Sequence, residues 1–190
     1  MTIGVKSKMS LKLSKVDYGD IETIRSWRNS DNIKKYMYTN KIISREDQKK
    51  WFEKISNNSS EKYWIIEIDN IKIGLISLNN IDVFNYKCSW AYYIADLSFR
   101  GRGIAKTLEC NIYDYCFFEL GLNKVYCEVI ESNNNVIEIH KKFGCEIEAN
   151  YKDHFFKDNE FQNAVSLAIT KAKWIEIKKQ FKYDVIEIEN

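Results

Sequence analysis

The sequence predicts a single mixed α/β domain, and three observations predict it. Between residues 62 and 95, β-branched and aromatic residues come in short runs separated by turn signals. At Gly103 the apolar spacing changes to a helical period. Beyond it, strand-like and helix-like stretches alternate, the pattern of a strand–helix–strand core. At 190 residues the chain can fill one core without a disulfide or metal staple. The whole chain, 1–190, is therefore expected to be one domain, with a core of about 9–172 and a C-terminal extension of 173–190.

The elements follow in order. Ser10–Ser14 alternates apolar and polar residues and reads as a short strand. Asp17 offers an N-cap, and Ile21, Ile24 and Trp27 recur at helical spacing, so a helix is expected over 17–28. Residues 29–43 are irregular and rich in Tyr and Met. Ser44 with Asp47 resembles a capping box, and Trp51, Phe52 and Ile55 give residues 44–56 one apolar helical face. Two strands, 62–68 and 71–78, flank the hairpin signal Asp69-Asn70. A third runs over 86–95. In the helix from Gly103, Ile104, Leu108, Ile112 and Tyr115 form the apolar stripe, Lys106, Glu109 and Asp114 lie off it, and Gly121 ends it. A strand over 124–130, a helix over 133–143 stopped at Gly144, and strands over 145–151 and 164–171 complete the domain. The acidic end, 184–190, is either a frayed tail or an added strand.

Composition excludes several classes. Lys+Arg number 29 and Asp+Glu 27, a formal charge of +2, so the phosphate-neutralising excess of a nucleic-acid binder is missing. No apolar run has the length of a membrane span, and the opening MTIGVKSKMS has no apolar leader segment. The five cysteines, Cys88, Cys110, Cys116, Cys127 and Cys145, form no CxxC pair and have no zinc-type spacing. They read as buried thiols in a reducing cytoplasm, with no metal site expected.

The most informative stretch is Arg100-Gly101-Arg102-Gly103-Ile104-Ala105-Lys106, between a strand and a helix. Two glycines let backbone approach a ligand closely. The first N–H groups of a helix have no internal partner and sit at its positive end. Arg100, Arg102 and Lys106 add charge, so a pyrophosphate suits the turn. Neither GxxxxGK[ST] nor GxGxxG is present, which leaves out the P-loop and the Rossmann start. The plain alternative is a Gly-rich turn with exposed arginines.

These residues carry a family resemblance. Arg100–Ala105 resembles the [RQ]xxGx[GA] pyrophosphate loop of the GCN5-related N-acetyltransferases, and Asn133–Cys145 resembles the NxxAxxxYxKxGF segment of that family. The resemblance spans roughly residues 11–171 and implies the fold of that family: a mixed, mostly antiparallel twisted sheet of about seven strands with about four helices. Ser26-Trp27-Arg28-Asn29, Tyr36-Met37-Tyr38, Ser44 and Trp51-Phe52 are similar to the opening segments of a subgroup that acetylates the 4-amino group of UDP-linked 4-amino-4,6-dideoxy sugars in the pseudaminic-acid pathway. Acetyltransferases of ribosomal-protein N-termini and of spermidine share the later motifs. The expected reaction is transfer of acetyl from acetyl-CoA to the amine of a UDP-aminosugar. A protein N-terminus or a polyamine is the alternative acceptor, and a degenerate acyl-CoA-binding module the non-enzyme alternative. A homodimer is common in the family.

The resemblance implies roles residue by residue. The diphosphate of acetyl-CoA rests on Arg100, Gly101, Arg102, Gly103, Ile104, Ala105 and Lys106. Its arm pairs with backbone near Tyr93 and Ile94, where strand 86–95 splays from strand 124–130, and Asn133 hydrogen-bonds it. A backbone N–H near Ile94 suits the developing oxyanion. The usual acid is a tyrosine, and His140 stands in its place; it is either the acid for the leaving thiolate or a satisfied core histidine. Glu128 and Glu131 are candidate bases and Ser77 could order a water, with Glu128 on the opposite strand face from Cys127. Trp27, Arg28, Met37, Tyr38, Gln48 and Trp51 are the acceptor-site candidates. Trp27 is either platform or core, and Arg28 either diphosphate ligand or helix-end partner. His154, Phe155 and Phe156 either border the pocket or cover the sheet.

Overall fold

A computed structural model describes residues 9–190. Eight strands form one twisted sheet in the order β6-β7-β5-β4-β3-β2-β1-β8. They are β1 (Leu11–Lys15), β2 (Lys62–Ile68), β3 (Ile71–Asp82), β4 (Lys87–Ile94), β5 (Lys124–Ile130), β6 (Glu146–Lys157), β7 (Glu160–Thr170) and β8 (Glu187–Ile188). Six α-helices cover it: α1 (Ile21–Asn29), α2 (Asp31–Lys34), α3 (Arg45–Ser56), α4 (Ile104–Asp114), α5 (Asn134–Lys142) and α6 (Lys171–Ile177). No helix among the described residues is long and apolar enough to cross a membrane. The opening residues read above for a leader, 1–8, lie outside the described residues.

Local chemistry accounts for most boundaries. Asp69 and Asn70 take positive φ of 51° and 65°, which closes β2–β3 as a tight hairpin. Ser44 and Asp47 form the capping box of α3. Asp17 and Asp20 form another, but around a 3-10 turn at Tyr18–Asp20, so α1 starts at Ile21 rather than at residue 17. The β6–β7 hairpin is longer than expected. Residues 152–163 are too polar to alternate, yet Asp158 and Asn159 adopt φ of 53° and 63° and fold the chain back on itself.

The C-terminal stretch also differs from the expected seven strands and four helices. Residues 171–177 are helical, and the chain then passes over α4 to pair Glu187 and Ile188 with β1. Asn111 pins this strap, donating to the Asp184 carbonyl and accepting from the Ile186 N–H. The acidic end is thus the added strand of the two possibilities.

The sheet divides two cores. The larger lies under α4, α5, α6 and the strap and includes Cys88, Trp90, Leu108, Tyr113, Cys127 and Trp174. The smaller holds Val16, Ile24, Ile65 and Leu75, with Trp27, Trp51, Phe52, Tyr63 and Tyr93 packed around it beneath α1 and α3. Strand alternation sends Trp90 and Tyr92 to the first face, and Ala91 and Tyr93 to the second.

One discontinuity positions the site. β4 and β5 run parallel but pair only from Lys87–Lys124 to Ser89–Tyr126. Past that point β4 stays with β3 as far as Ile94–Gly74, and β5 stays with β7 as far as Ile130–Ala164. A wedge opens between them, and its inner edges carry backbone groups with no strand partner across the gap.

Candidate active site

The glycine turn stands at the end of β4. Asp96 caps a 3-10 turn at Leu97–Phe99 by accepting from the Ser98 N–H, and the Ser98 hydroxyl, then that N–H, hold its carboxyl below the usual range. Gly101 and Gly103 then take φ of 77° and 81°, and a Cβ built at either position would meet nothing within 4 Å. Conformation, not crowding, calls for glycine here, and the space in front of the backbone is open. Gly103 is the N-cap of α4 and supplies no side-chain cap, so the first N–H groups of the helix point outward unpaired. The cations differ in use. Arg100 folds back and donates to the Ile94 carbonyl (2.8 and 3.3 Å), tying the turn to β4. Arg102 lies over the Phe99 ring at 4.9 Å, and Lys106 is exposed. Beside the turn, a cavity of about 420 Å³ is lined by Arg102, Gly103, Ile104, Thr107 and strap residues Asp184, Val185 and Ile186. These features fit a diphosphate-bearing donor. Across the wedge, Asn133 precedes α5, and its side chain makes no cap hydrogen bond.

His140 lies behind the sheet, 4% exposed. Its ring meets Trp90 and Tyr92 edge-on, with centroids at 5.3 and 6.3 Å. Nδ1 is 2.8 Å from Glu109 Oε1, although the ring N–H is not aligned for a directed hydrogen bond. Glu109 itself is fully buried. Its other oxygen accepts from Tyr113 Oη, which sits 3.2 Å from Cys145 Sγ. Burial, and then the carboxylate charge, push the Tyr92 and Tyr113 phenols well up and the Cys145 thiol to about 12. The helical period placed Glu109 and Asp114 off the apolar stripe. The structure buries Glu109 on the side of α4 that meets His140 of α5, and engages Asp114 with Trp174, Lys178 and Tyr183 of the C-terminal stretch. Cys110, Tyr113 and Cys116, which make the helix apolar nearly all round, were the available signal.

On the opposite face lie the other candidates. Trp27 meets Tyr93 edge-on at 6.4 Å. Arg28 contacts Met37 Sδ and no carboxylate among the described residues. Burial raises the Tyr93 phenol, while the Arg28 charge opposes it. Trp51 packs on Tyr63, whose hydroxyl reaches Glu61 and Asn79, and Asn79 donates to Ser77 Oγ. Ser77 is 7% exposed and Gln48 3%, with Gln48 Nε2 unpartnered inside the protein.

Glu128 does point away from Cys127. Tyr38 donates to Glu128 Oε2 at 3.1 Å, and His154 Nε2 is 3.4 Å from the same oxygen. Tyr38 stacks on Phe155 and Tyr151 on His154. Burial and the Glu128 charge raise the Tyr38 phenol. Three residues far apart in sequence thus make one aromatic, acidic corner. Glu131 instead accepts from Asn163. Lys157, which sequence reasoning missed, is buried and donates to the carbonyls of Lys34, Lys35 and Met37, fixing the loop that carries Tyr38.

Comparison with known proteins follows the same lines. Residues 10–146 match the family model described as an acetyltransferase (GNAT) domain. The spermidine N(1)-acetyltransferase of Escherichia coli K12 is 24% identical over 89% of this chain and 90% of its own. The acetyltransferase PseH of Campylobacter jejuni 81-176 is 28% identical over 65% of this chain and 74% of its own. The fold is that of the Vibrio cholerae spermidine N-acetyltransferase crystallised with CoA and spermine, at a TM-score of 0.82, 24% identity, and coverage of 87% of this chain and 98% of that one. The wedge, the open glycine turn and these matches together make the chain a member of the GNAT family and an acetyl-CoA-dependent N-acetyltransferase.

Proposed function

We propose that the acceptor is a small polycationic amine of the spermidine class, bound on the α1–α3 face. The corner of Tyr38, Glu128, His154 and Phe155 carries this reading. A partly exposed carboxylate among stacked aromatic rings offers both charge and π-faces to an ammonium group. The likeness to spermidine acetyltransferases over nearly the whole chain supports the same class.

Acetyl-CoA supplies an activated acetyl group. The N–H groups of Ile104, Ala105 and Lys106, with Arg102, hold its diphosphate, and Asn133 and the free edge of β4 near Tyr93 and Ile94 hold its arm. Glu128 receives the proton that the amine must lose, directly or through water, and Ser77 orders solvent nearby. His140 holds a proton for the departing sulfur. Orientation by these groups supplies much of the acceleration, since positioning alone is worth about 7–11 kcal/mol.

A second reading rests on Arg28. A half-buried guanidinium without a carboxylate partner suits a diphosphate and favours a UDP-linked aminosugar. Thiol release from acetyl-CoA, measured in parallel with spermidine, UDP-aminosugars and N-terminal peptides, decides between them. Fastest turnover with spermidine supports the proposal. Preference for the sugar moves the assignment to Arg28, and no amine-dependent release with any acceptor removes both.

A further inference from the structure

We infer that Glu109 is a positioning residue for acetyl transfer: it fixes the His140 ring through Nδ1, so that only Nε2 is free to serve the leaving sulfur. The inference rests on the acetyl-transfer reading above. It starts from a burial that stability alone does not explain. Other buried carboxylates, Asp20 and Glu67, pair with lysines that reach solvent, Lys72 and Lys12. Glu109 is the least exposed of the three, and its contacts are His140 and the neutral Tyr113 hydroxyl. An apolar side chain of similar size would fill this place without desolvating a charge.

The geometry divides the labour. Tyr113 occupies Oε2 and leaves Oε1 to face Nδ1. The groups packed around the carboxylate from other elements, namely Tyr92 of β4, Cys127 of β5 and Cys145 after α5, are phenols or thiols that burial keeps neutral. His140 is therefore the one neighbour among them that can balance the charge. Nε2 has no hydrogen-bond partner among the described residues. The ring touches Trp90 and Tyr92, on the part of β4 that leaves β5.

The step balances as follows. The amine nitrogen forms the C–N bond to the acetyl carbon, and the C–S bond breaks with its electron pair on sulfur. Nε2 gives its proton to that sulfur, and the ring regains one from solvent. The surplus amine proton leaves through Glu128 or water.

Two readouts test this. The chain has two histidines, so long-range 1H–15N spectra, assigned with H154N, report the His140 tautomer in the protein without ligand. Protons on both Nδ1 and Nε2 in the wild type, with the Nδ1 proton lost in E109Q, are expected. A ring protonated at only one nitrogen in the wild type, or one unchanged in E109Q, overturns the inference. With acetyl-CoA and the best amine, E109Q should lower kcat at least about tenfold, part of the ~100-fold a positioned acid supplies. The acetyl-CoA KM should stay within about twofold. In an H140Y background, E109Q should slow the enzyme no further. Equal losses in both backgrounds would mean that Glu109 is only structural. Should E109Q not fold, E109M takes its place. If no amine supports turnover, the acetyl-transfer reading fails, while the spectra still decide the Glu109–His140 pairing.

Discussion

Both histidines of this chain face a glutamate, but on opposite sides of the sheet. His140 and Glu109 are 5% and 0% exposed at the side chain, whereas His154 and Glu128 are 35% and 37% exposed. The same two residue types therefore do different work. Behind the sheet, a desolvated carboxylate is held against an imidazole by packing, and losing one partner strands the other. On the open side, water screens the pair, and the carboxylate stays free to exchange its partners for a ligand. The contrast separates a group that holds geometry from one that meets substrate.

The largest effect should come from breaking the inner pair. His140→Leu leaves the Glu109 carboxylate buried without a countercharge, at a cost of about 3–5 kcal/mol. Urea unfolding measures it, and a loss under about 1 kcal/mol would show that the core hydrates the carboxylate. Glu128→Gln is the matching change outside. It should raise the spermidine KM about tenfold, or about 1.4 kcal/mol of binding. The same change should shift the unfolding free energy by less than about 1 kcal/mol. A KM that does not move removes Glu128 from the acceptor site.

Arg28→Ala discriminates the acceptors. Spermidine kinetics should change by less than about threefold, since a rim charge far from pairing contributes under about 1 kcal/mol. A large loss confined to UDP-aminosugars would instead establish the anionic acceptor.

A separate effect lies at alkaline pH. Burial, then the Glu109 charge, lift the Cys145 thiol from 9.0 to about 12 in the folded protein. The folded state therefore keeps a proton that the unfolded chain loses above about 9. Stability from this group is complete below that pH and falls as pH rises toward 12. Urea midpoints from pH 7 to 10.5 should decline, and Cys145→Ala should flatten part of that decline.

What was legible in the sequence was local. The Asp69-Asn70 hairpin, the capping box at Ser44 and the positive-φ glycines of the turn each depend on a few adjacent residues. The alternation of β5 correctly sent Glu128 and Cys127 to opposite faces. Long-range packing was not legible. Glu109 lay off the apolar stripe of α4, yet its partner His140 arrives on α5 some 30 residues later and buries it. The acceptor corner joins Tyr38 to Glu128 across 90 residues. Its third member, His154, sits in a hairpin whose polar sequence concealed the strands.

The claim that joins all of this is that the wedge between β4 and β5, entered past the glycine turn, receives the donor. Hydrogen–deuterium exchange with and without CoA tests it most directly. Slowed exchange at the amides of Ile104 to Lys106 and along Ala91 to Ile94, with little change in β1 and β2, is the predicted result. Unchanged exchange at those amides, with protection elsewhere or nowhere, would contradict it.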